Sequence, residues 1–206
     1  MWDERYSDND YVYGTSPNSF LASVIDRIRC NHNHVHRGKV LSLAEGEGRN
    51  AVFLAEHGCF VTAVDSSRVG LTKAEKLAKD RGVALKVIHS DLAHLEIEPN
   101  SWDAIVSIFC HVPSQLRSEL HRKVVAGLRP GGVLVLEAYT PSQLALRTGG
   151  PQDVDMTMSL KQLESELAGL VFEHAQELER EVVEGKFHTG KGAVVQIVAH
   201  KPRVTS

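Results

Sequence analysis

The feature that most constrains the fold is an apolar run that ends in a glycine-containing loop and passes into a helical pattern, over residues 40–51. A second apolar run follows at residues 60–64 and ends in Asp65. Glycines let the backbone approach a ligand closely, and a helix start offers unpaired N–H groups to it. A terminal acid can accept hydrogen bonds from both hydroxyls of a ribose. Together these features predict a pocket for a nucleoside-bearing cofactor.

The composition narrows the class of protein. The chain has 206 residues, of which 42% are hydrophobic and 24% charged, as in an ordinary soluble globular domain. The net charge of −3 argues against nucleic acid bound through a broad basic face. No apolar run approaches the roughly 20 residues that span a bilayer, and the N-terminus lacks a signal-peptide pattern. We therefore expect a single cytoplasmic domain over residues 1–206, with no nucleic-acid and no membrane partner.

Cysteines and histidines show no paired spacing that would indicate a disulfide or a metal site. The three cysteines are an odd number, for which reduced thiols are the simplest interpretation: Cys30, Cys59 and Cys110. Three alternating histidines could in principle hold a metal ion: His32, His34 and His36. Because no cysteine or acid accompanies them, we interpret this stretch as a polar loop and predict no metal.

Strand-like and helix-like segments alternate from residue 39 to residue 138. The predicted strands are 39–43, 60–65, 84–89, 102–108 and 133–138, and the predicted helices are 48–57, 67–81 and 114–127. An earlier helix should begin at Ser16-Pro17 and end near Cys30. Strands that alternate with helices indicate a mostly parallel sheet with right-handed crossovers.

The last part of the chain has a different pattern. After a short helix near residues 159–167, two long strand-like runs, 171–184 and 191–201, flank a turn-rich stretch at 185–190. This arrangement predicts an antiparallel hairpin. The predicted fold class is therefore α/β, a Rossmann-like three-layer α/β/α sandwich whose seven-stranded, mostly parallel sheet ends in an antiparallel C-terminal hairpin.

This layout and several motifs in order resemble the class I methyltransferases that use S-adenosylmethionine. The resembling segments are Ala44-x-Gly46-x-Gly48, like the first motif; Asp65, like the ribose-binding acid; Ser90-Asp91-Leu92, like the adenine-contacting segment; and Arg129-Pro130-Gly131-Gly132, like the turn before the fifth strand. The family usually carries an acid where this chain has Ser42, and a glycine where it has Ala44. Glu45 lies in the loop instead and is the candidate substitute in holding the cofactor's amino group.

A narrower resemblance involves two further segments. Trp2-x-x-Arg5-Tyr6 with Tyr13-Gly14-x-x-Pro17-Asn18-x-Phe20-Leu21 is similar to the N-terminal segment of small methyltransferases of the tellurite-resistance and thiopurine types. Residues 109–113, Phe-Cys-His-Val-Pro, are similar to the loop after their fourth strand. This resemblance implies a small, often soft, methyl acceptor. The short connection between residues 139 and 159 also favours a small-molecule acceptor over a macromolecule.

The cofactor site should lie at the carboxyl ends of the strands, where the loops of an open α/β sheet converge. The candidate cofactor-binding residues are Trp2, Tyr13, Ala44, Glu45, Gly46, Gly48, Asn50, Asp65, Ser66, Asp91, Leu92 and Phe109. Aromatic faces attract a sulfonium cation by about 0.5–2 kcal/mol each, so residues 1–16 are interpreted as a lid over the cofactor. The alternative is a docked terminal segment whose aromatic side chains only fill surface grooves.

Four residues are candidates for the chemistry of methyl transfer: Tyr6, His111, Arg147 and His188. The two histidines could serve as general base, and Arg147 could hold an anionic acceptor. Each also has an ordinary interpretation, because loop histidines are often structural and single arginines are usually solvated. The transfer itself is an in-line displacement at carbon, for which the protein supplies position and dry surroundings.

Two other functions stay open. The pattern Gly46-x-Gly48-x-x-Ala51 with Asp65 also satisfies the looser fingerprint of an NAD-dependent oxidoreductase, although the final hairpin speaks against it. A non-catalytic nucleoside-binding module of the same fold is the third reading. The residues do not indicate an oligomeric state or a particular methyl acceptor.

Overall fold

A computed structural model describes residues 2–28, 38–185 and 188–203, with His188 described by its backbone alone. The strands are β1 Lys39–Leu43, β2 Phe60–Asp65, β3 Lys86–His89, β4 Trp102–Ile108, β5 Leu128–Tyr139, β6 Val171–Glu184 and β7 His188–His200. The helices are α1 Trp2–Arg5, α2 Ser19–Ser23, α3 Arg49–Glu56, α4 Arg68–Asp80, α5 Ser114–Gly127, α6 Gln143–Leu146 and α7 Leu160–Glu166. The three-histidine loop lies outside the described residues, as does the side chain of His188.

The strands form one sheet in the order β3-β2-β1-β4-β5-β7-β6. β1 pairs in parallel with β2 and β4, whereas β7 pairs antiparallel with both β5 and β6. The predicted fold class is thereby confirmed. The strand order reverses at β1 and β4, and in an open α/β sheet such a reversal opens a crevice at the carboxyl ends of the strands.

The central strands bury apolar side chains on both faces of the sheet. Leu41 and Ile105 belong to one core cluster, while their neighbours Val40 and Val106 belong to the other. Successive strand residues point to opposite faces, so a strand covered on both sides has a nearly continuous apolar run. Helix α4 supplies part of the cover through residues at helical spacing: Leu71, Ala74, Leu77 and Ala78.

Element bounds agree best where an apolar run is closed by turn residues. The predicted segments 39–43, 60–65, 102–108 and 114–127 have the bounds of β1, β2, β4 and α5. β5 begins at Leu128, earlier than the predicted residue 133, because Leu128 already pairs with Trp102. A Cβ on Gly132 would lie 2.9 Å from the carbonyl oxygen of Trp102, so glycine at this position permits the close strand contact.

The predicted helix from Ser16 to Cys30 is wrong in its extent. Helix α2 covers Ser19–Ser23 and is followed by a 3₁₀ turn at Ile25–Arg27. The amide of Leu21 donates to the side chain of Asn18, which makes Asn18 the N-cap in place of Ser16. Tertiary contacts of the Asn18 side chain with β5 and β6 hold this helix start in position.

Two cysteines lie among the described residues, and they differ in redox state. Cys59 is disulfide-bonded, so the prediction of a reduced thiol is wrong for this residue. Cys110 is free and buried, and burial raises the pKa of its thiol to about 12. Within the described ranges, no helix is both long and apolar enough to cross a bilayer.

Candidate active site

A cavity of about 660 Å³ lies at the carboxyl ends of β1, β2 and β4. Most of the predicted site residues line it: Trp2, Tyr6, Tyr13, Ala44, Glu45, Asn50, Asp65, Ser66, Asp91, Leu92, Phe109 and His111. Gly46 and Gly48 shape the loop beside the cavity without lining it. Arg147 is exposed and does not line the cavity, so the structure does not bring it to the other candidates.

The glycine loop is shaped by close contacts on two sides. Gly46 and Gly48 adopt left-handed φ angles of 63° and 94°. A Cβ on Gly46 would lie 2.6 Å from the hydroxyl oxygen of Tyr6, and a Cβ on Gly48 would lie 2.6 Å from Ala74 in α4. Glycine is therefore required for the aromatic ring on one side and the helix on the other.

Asp65 has the geometry of a hydrogen-bond acceptor for a polar ligand. Its Oδ2 accepts from the amide of Gly46 at 2.8 Å, and its Oδ1 accepts from the amide of Ser67 at 2.7 Å. Burial raises the pKa of the carboxyl group, and these backbone hydrogen bonds partly offset the effect. A carboxylate oxygen can accept more than one hydrogen bond, so each oxygen keeps acceptor capacity toward the cavity.

Glu45 caps the start of helix α3. Its Oε1 accepts from the amides of Asn50 and Ala51 at 3.0 and 2.8 Å, and the hydroxyl of Ser42 donates to its Oε2. Burial raises the pKa of this carboxyl group to about 6, against the lowering effect of these hydrogen bonds. The side chain of Glu45 thus returns to Ser42, which is the position where the resembling family carries its acid.

Glu47 attaches the N-terminal segment to the body of the protein. Its Oε2 accepts from the amides of Val12 and Tyr13 at 2.8 and 3.3 Å, and Lys73 of α4 pairs with its Oε1 at 2.8 Å. At the other end of the segment, Asp3 accepts from the Ser67 hydroxyl at 2.5 Å. The sequence did not identify Glu47 as functional, because its partners lie far away in the chain.

Aromatic rings of the N-terminal segment line the cavity. The rings of Trp2 and Tyr6 stack at 5.7 Å, and Tyr13 meets Tyr6 edge-on at 6.3 Å. Tyr6 is buried, and burial together with the charge of Asp65 raises the pKa of its hydroxyl above the usual value. Tyr6 is therefore protonated at neutral pH and cannot serve as a base there.

His111 occupies both of its ring nitrogens with the protein backbone. Its Nδ1 lies 2.9 Å from the carbonyl oxygen of Met156, and its Nε2 accepts from the amide of Tyr139 at 3.3 Å. Burial lowers the pKa of the imidazole to about 4, so the ring is neutral at neutral pH. This geometry makes His111 a link between β5 and Met156 and does not favour a general base, a role that stays a prediction.

The far wall of the cavity comes from segments that the sequence did not single out. Residues 149–152 and Met156 line it beside Val112 and Pro113. Phe109 stacks on Tyr139 with ring centroids 4.6 Å apart. A Cβ on Gly150 would lie 2.7 Å from the Tyr139 ring, so Gly150 lets this wall approach β5 closely.

A buried network of charges lies at the carboxyl ends of β5 and β6. Glu137 is fully buried, and its two carboxylate oxygens accept hydrogen bonds from Nε and Nη2 of Arg180, each at 2.8 Å. Asn18 donates to Glu137 and to Glu184, and Arg49 donates its Nη2 to Glu184 at 2.5 Å. The acid at position 137 interrupts an apolar strand, and this could have indicated a buried ionic partner from the sequence alone.

Known proteins place this architecture in context. Residues 40–132 match the family model described as a methyltransferase domain. The cypemycin N-terminal methyltransferase of Streptomyces sp is 30% identical over 124 residues, which cover 58% of this chain and 49% of that protein. The chain spans about half or less of the length of the curated relatives it matches.

Solved structures share the fold at low sequence identity. A structure from a study of the conversion of a disulfide bond into a thioacetal group in echinomycin biosynthesis has a TM-score of 0.74 at 17% identity, covering 100% of this chain and 92% of that one. TehB from Haemophilus influenzae has a TM-score of 0.69 at 19% identity, covering 87% of this chain and 62% of that one. At these identities the likeness concerns the fold.

Proposed function

We propose that this chain, whose residues 40–132 match a methyltransferase domain, is a class I S-adenosylmethionine-dependent methyltransferase that transfers a methyl group from S-adenosylmethionine to a small molecule with a soft nucleophile. The observation that carries this proposal is the position of Asp65, buried at the end of β2 with acceptor capacity directed into the cavity. When bound, S-adenosylmethionine supplies an electrophilic methyl group on a positively charged sulfur.

The polar residues of the cavity suit the nucleoside part of this cofactor. Asp65 accepts hydrogen bonds from the ribose hydroxyls, which are charge-assisted and therefore strong. Leu92 is buried and lines the cavity with Ile108, so these two side chains offer apolar contact to the adenine ring. Asp91 also lines the cavity; its Oδ1 accepts from the amide of Ala93 at 2.9 Å, and the carboxylate keeps capacity for the adenine amino group.

The amino-acid part of the cofactor would bind near the start of α3. Glu45 and Asn50 both line the cavity there. The side-chain oxygen of Asn50 accepts from the amide of Asn18 at 2.9 Å, which leaves its Nδ2 as a donor. Glu45 holds the place beside Ser42, and we assign it the interaction with the cofactor's amino group.

The N-terminal segment acts as a lid in this proposal. Trp2, Tyr6, Tyr13 and Phe109 line the cavity, and each aromatic face can attract a sulfonium by about 0.5–2 kcal/mol. The hydrogen bonds of Glu47 and Asp3 fasten the segment at both ends. Such a cover excludes water from the reacting centre, where water would weaken the electrostatic interactions.

The acceptor is one that needs no strong general base. Tyr6 is protonated at neutral pH, and both nitrogens of His111 are engaged by the backbone. A soft nucleophile such as a thiolate can attack without losing a proton in the same step. The cavity is bounded by residues 149–152 and by the N-terminal segment, which suits a small molecule. The cytoplasmic location and the single-domain organisation stay predictions.

Calorimetric titration tests the cofactor. The protein should bind S-adenosylmethionine and S-adenosylhomocysteine, and NAD should not bind. Asp65→Asn should weaken both by at least about tenfold, since a hydrogen bond to a charged group contributes about 1.5–3 kcal/mol. Asp80→Asn, at the exposed end of α4, is the matched control. Binding of NAD alone would overturn the proposal, and unchanged affinity of the Asp65→Asn variant would remove Asp65 from the site.

A transfer screen tests the reaction. Protein loaded with S-adenosylmethionine carrying a labelled methyl group is incubated with thiols, selenite, tellurite, halides and small acids. Labelled product with a thiol or another soft nucleophile supports the proposal. Cofactor binding without turnover on any of these acceptors would favour a non-catalytic binding module.

A further inference from the structure

Arg49 lines the cavity and has one hydrogen-bond donor without a partner in the described part of the chain. It is the first residue of α3, is 8% exposed and lines the cavity. Its Nη2 donates to Glu184, whereas its buried Nη1 has no hydrogen-bond partner among the described residues. A buried donor without a partner destabilises a protein, more so when it is charged, so we expect this nitrogen to gain an acceptor when a ligand binds.

The orientation of Arg49 is set by its surroundings. Glu184 accepts from Arg49, and its other oxygen accepts from Asn18 at 2.8 Å and Arg180 at 3.0 Å. Arg180 is held in turn by two hydrogen bonds to Glu137. Because Glu184 cannot move without breaking these contacts, the guanidinium plane is held and its remaining N–H groups are preorganised.

The other positive groups near the cavity are engaged. Arg5 donates to the hydroxyl of Tyr13 at 3.0 Å and lies over the Trp2 ring at 5.0 Å. The amides of Asn50 and Ala51 in the first turn of α3 donate to Glu45 and are not available to a ligand. Arginine carries only donors, so the partner atom must be an acceptor, and the fork of the guanidinium matches a carboxylate best.

The position of Arg49 separates it from the ribose end of the cavity. Its partner Glu184 ends β6, at one edge of the sheet, while Asp65 ends β2 on the other side of β1. The guanidinium is thus held on the side of the cavity that faces β5 and β6. We propose that the methyl acceptor carries a carboxylate, separate from its nucleophilic atom, that binds to Arg49. This inference rests on the proposed function and specifies its substrate class.

The test uses protein saturated with S-adenosylhomocysteine, titrated by calorimetry with thiols that differ in charge: 3-mercaptopropionate, 2-mercaptoethanol and cysteamine. The wild-type protein should bind 3-mercaptopropionate at least about tenfold more tightly than the other two. Arg49→Met should lose this preference and leave S-adenosylhomocysteine affinity within about threefold. Arg147→Met is the matched control, because Arg147 is exposed outside the cavity, and it should behave as the wild type does.

Arg49→Met also removes the partner of Glu184, so its folding is checked by thermal unfolding. Arg49→Lys keeps the positive charge beside Glu184 but has no planar fork, and should retain folding while losing most of the preference. If the wild-type protein binds 3-mercaptopropionate no more tightly than the other two thiols, the inference is overturned, whatever the variants show. A loss of S-adenosylhomocysteine affinity of tenfold or more in both Arg49 variants would assign Arg49 to the cofactor's own carboxylate and overturn it as well. If the wild type does not bind S-adenosylhomocysteine at all, the proposed function itself fails.

Discussion

The two halves of the cavity are built from different kinds of contact. The cofactor half consists of the loops after β1, β2 and β3, at residues 44–48, 65–66 and 91–92. Its hydrogen bonds join residues close in the chain, 3 positions apart for Ser42 with Glu45 and 19 for Gly46 with Asp65. The acceptor half consists of Arg49, its network and residues 149–156. Its contacts span 135 positions for Arg49 with Glu184 and 45 for His111 with Met156.

This difference shows how one cavity combines a binding site for a common cofactor with a binding site for a particular methyl acceptor. The cofactor half needs a backbone shape that short motifs can specify. The acceptor half depends on charges and walls that meet only after the sheet has formed. Changes in the acceptor half should therefore act through the stability of the network, and changes in the cofactor half through the geometry of one loop.

The largest effect should follow removal of Glu137 from the acceptor half. Glu137→Ala removes the bidentate partner of Arg180, which is partly buried and keeps only Glu184 as an acidic partner among the described residues, and should lower the free energy of unfolding by about 3–5 kcal/mol. Urea denaturation measures this. Glu181→Ala, an exposed acid on the same strand as Arg180, is the control and should change stability by less than about 0.5 kcal/mol. A loss below about 1 kcal/mol for Glu137→Ala would mean that the network does not hold this half together.

The cofactor half should be most sensitive at Gly48. Gly48→Ala adds about 1–2 kcal/mol of backbone strain and about 1–3 kcal/mol from the collision with Ala74 in α4. Gly82→Ala is the matched control, because Gly82 also has a positive φ of 70° but a Cβ there meets nothing within 4 Å. Only Gly48→Ala should also weaken S-adenosylhomocysteine binding. Equal losses of stability in the two variants would show that strain alone matters.

His111 distinguishes a structural from a catalytic role in the acceptor half. His111→Phe preserves an aromatic ring beside Tyr139 but leaves the carbonyl of Met156 and the amide of Tyr139 unpaired. Stability should fall by about 1–3 kcal/mol. The shape of the pH profile of the turnover rate should not change. A flattened profile with unchanged stability would restore His111 as a general base.

The smallest effect should be a pH-dependent one in the cofactor half. The pKa of Glu45 is raised from 4.5 to about 6 in the folded protein, so the folded state binds this proton more tightly than the unfolded state does. Its contribution to stability should fall as pH rises from about 4.5 to about 6, by up to about 2 kcal/mol, and be constant above that range.

Glu45→Gln cannot titrate and should not show this fall. Urea denaturation of both proteins between pH 4 and pH 7 measures the difference, with Glu181→Gln as a control that keeps the wild-type dependence. A difference between wild type and Glu45→Gln that is constant across this range would contradict the raised pKa.

The parts of the fold that could be predicted are those with a strong local pattern. β1, β2, β4 and α5 have the predicted bounds because turn residues close each apolar run. The predicted helix from Ser16 was too long, because capping by Asn18 depends on partners in β5 and β6. The prediction of a reduced thiol is wrong for Cys59, because spacing along the chain does not show which cysteines lie close together.

In the candidate site, too, the predictable residues are those whose position depends on local sequence. Asp65 could be located from the sequence, since the end of a parallel strand determines where its side chain lies. Arg49 directly follows the glycine motif, yet the sequence offers Arg147 as the anion-binding residue, and the structure places Arg147 outside the cavity. Nothing near Arg49 in the chain distinguishes it; its role depends on Glu184, which holds one side of the guanidinium.

The sequence by itself determined the α/β class, the glycine turn and the acid at the end of β2. These features depend on backbone sterics and on the period of apolar residues, both of which act over a few residues. Only the tertiary structure decided which charges are buried together, that both ring nitrogens of His111 contact the backbone, and that Arg49 has a donor without a partner among the described residues. Desolvation and long-range hydrogen bonds determine these properties, and they exist only after distant segments have packed against one another.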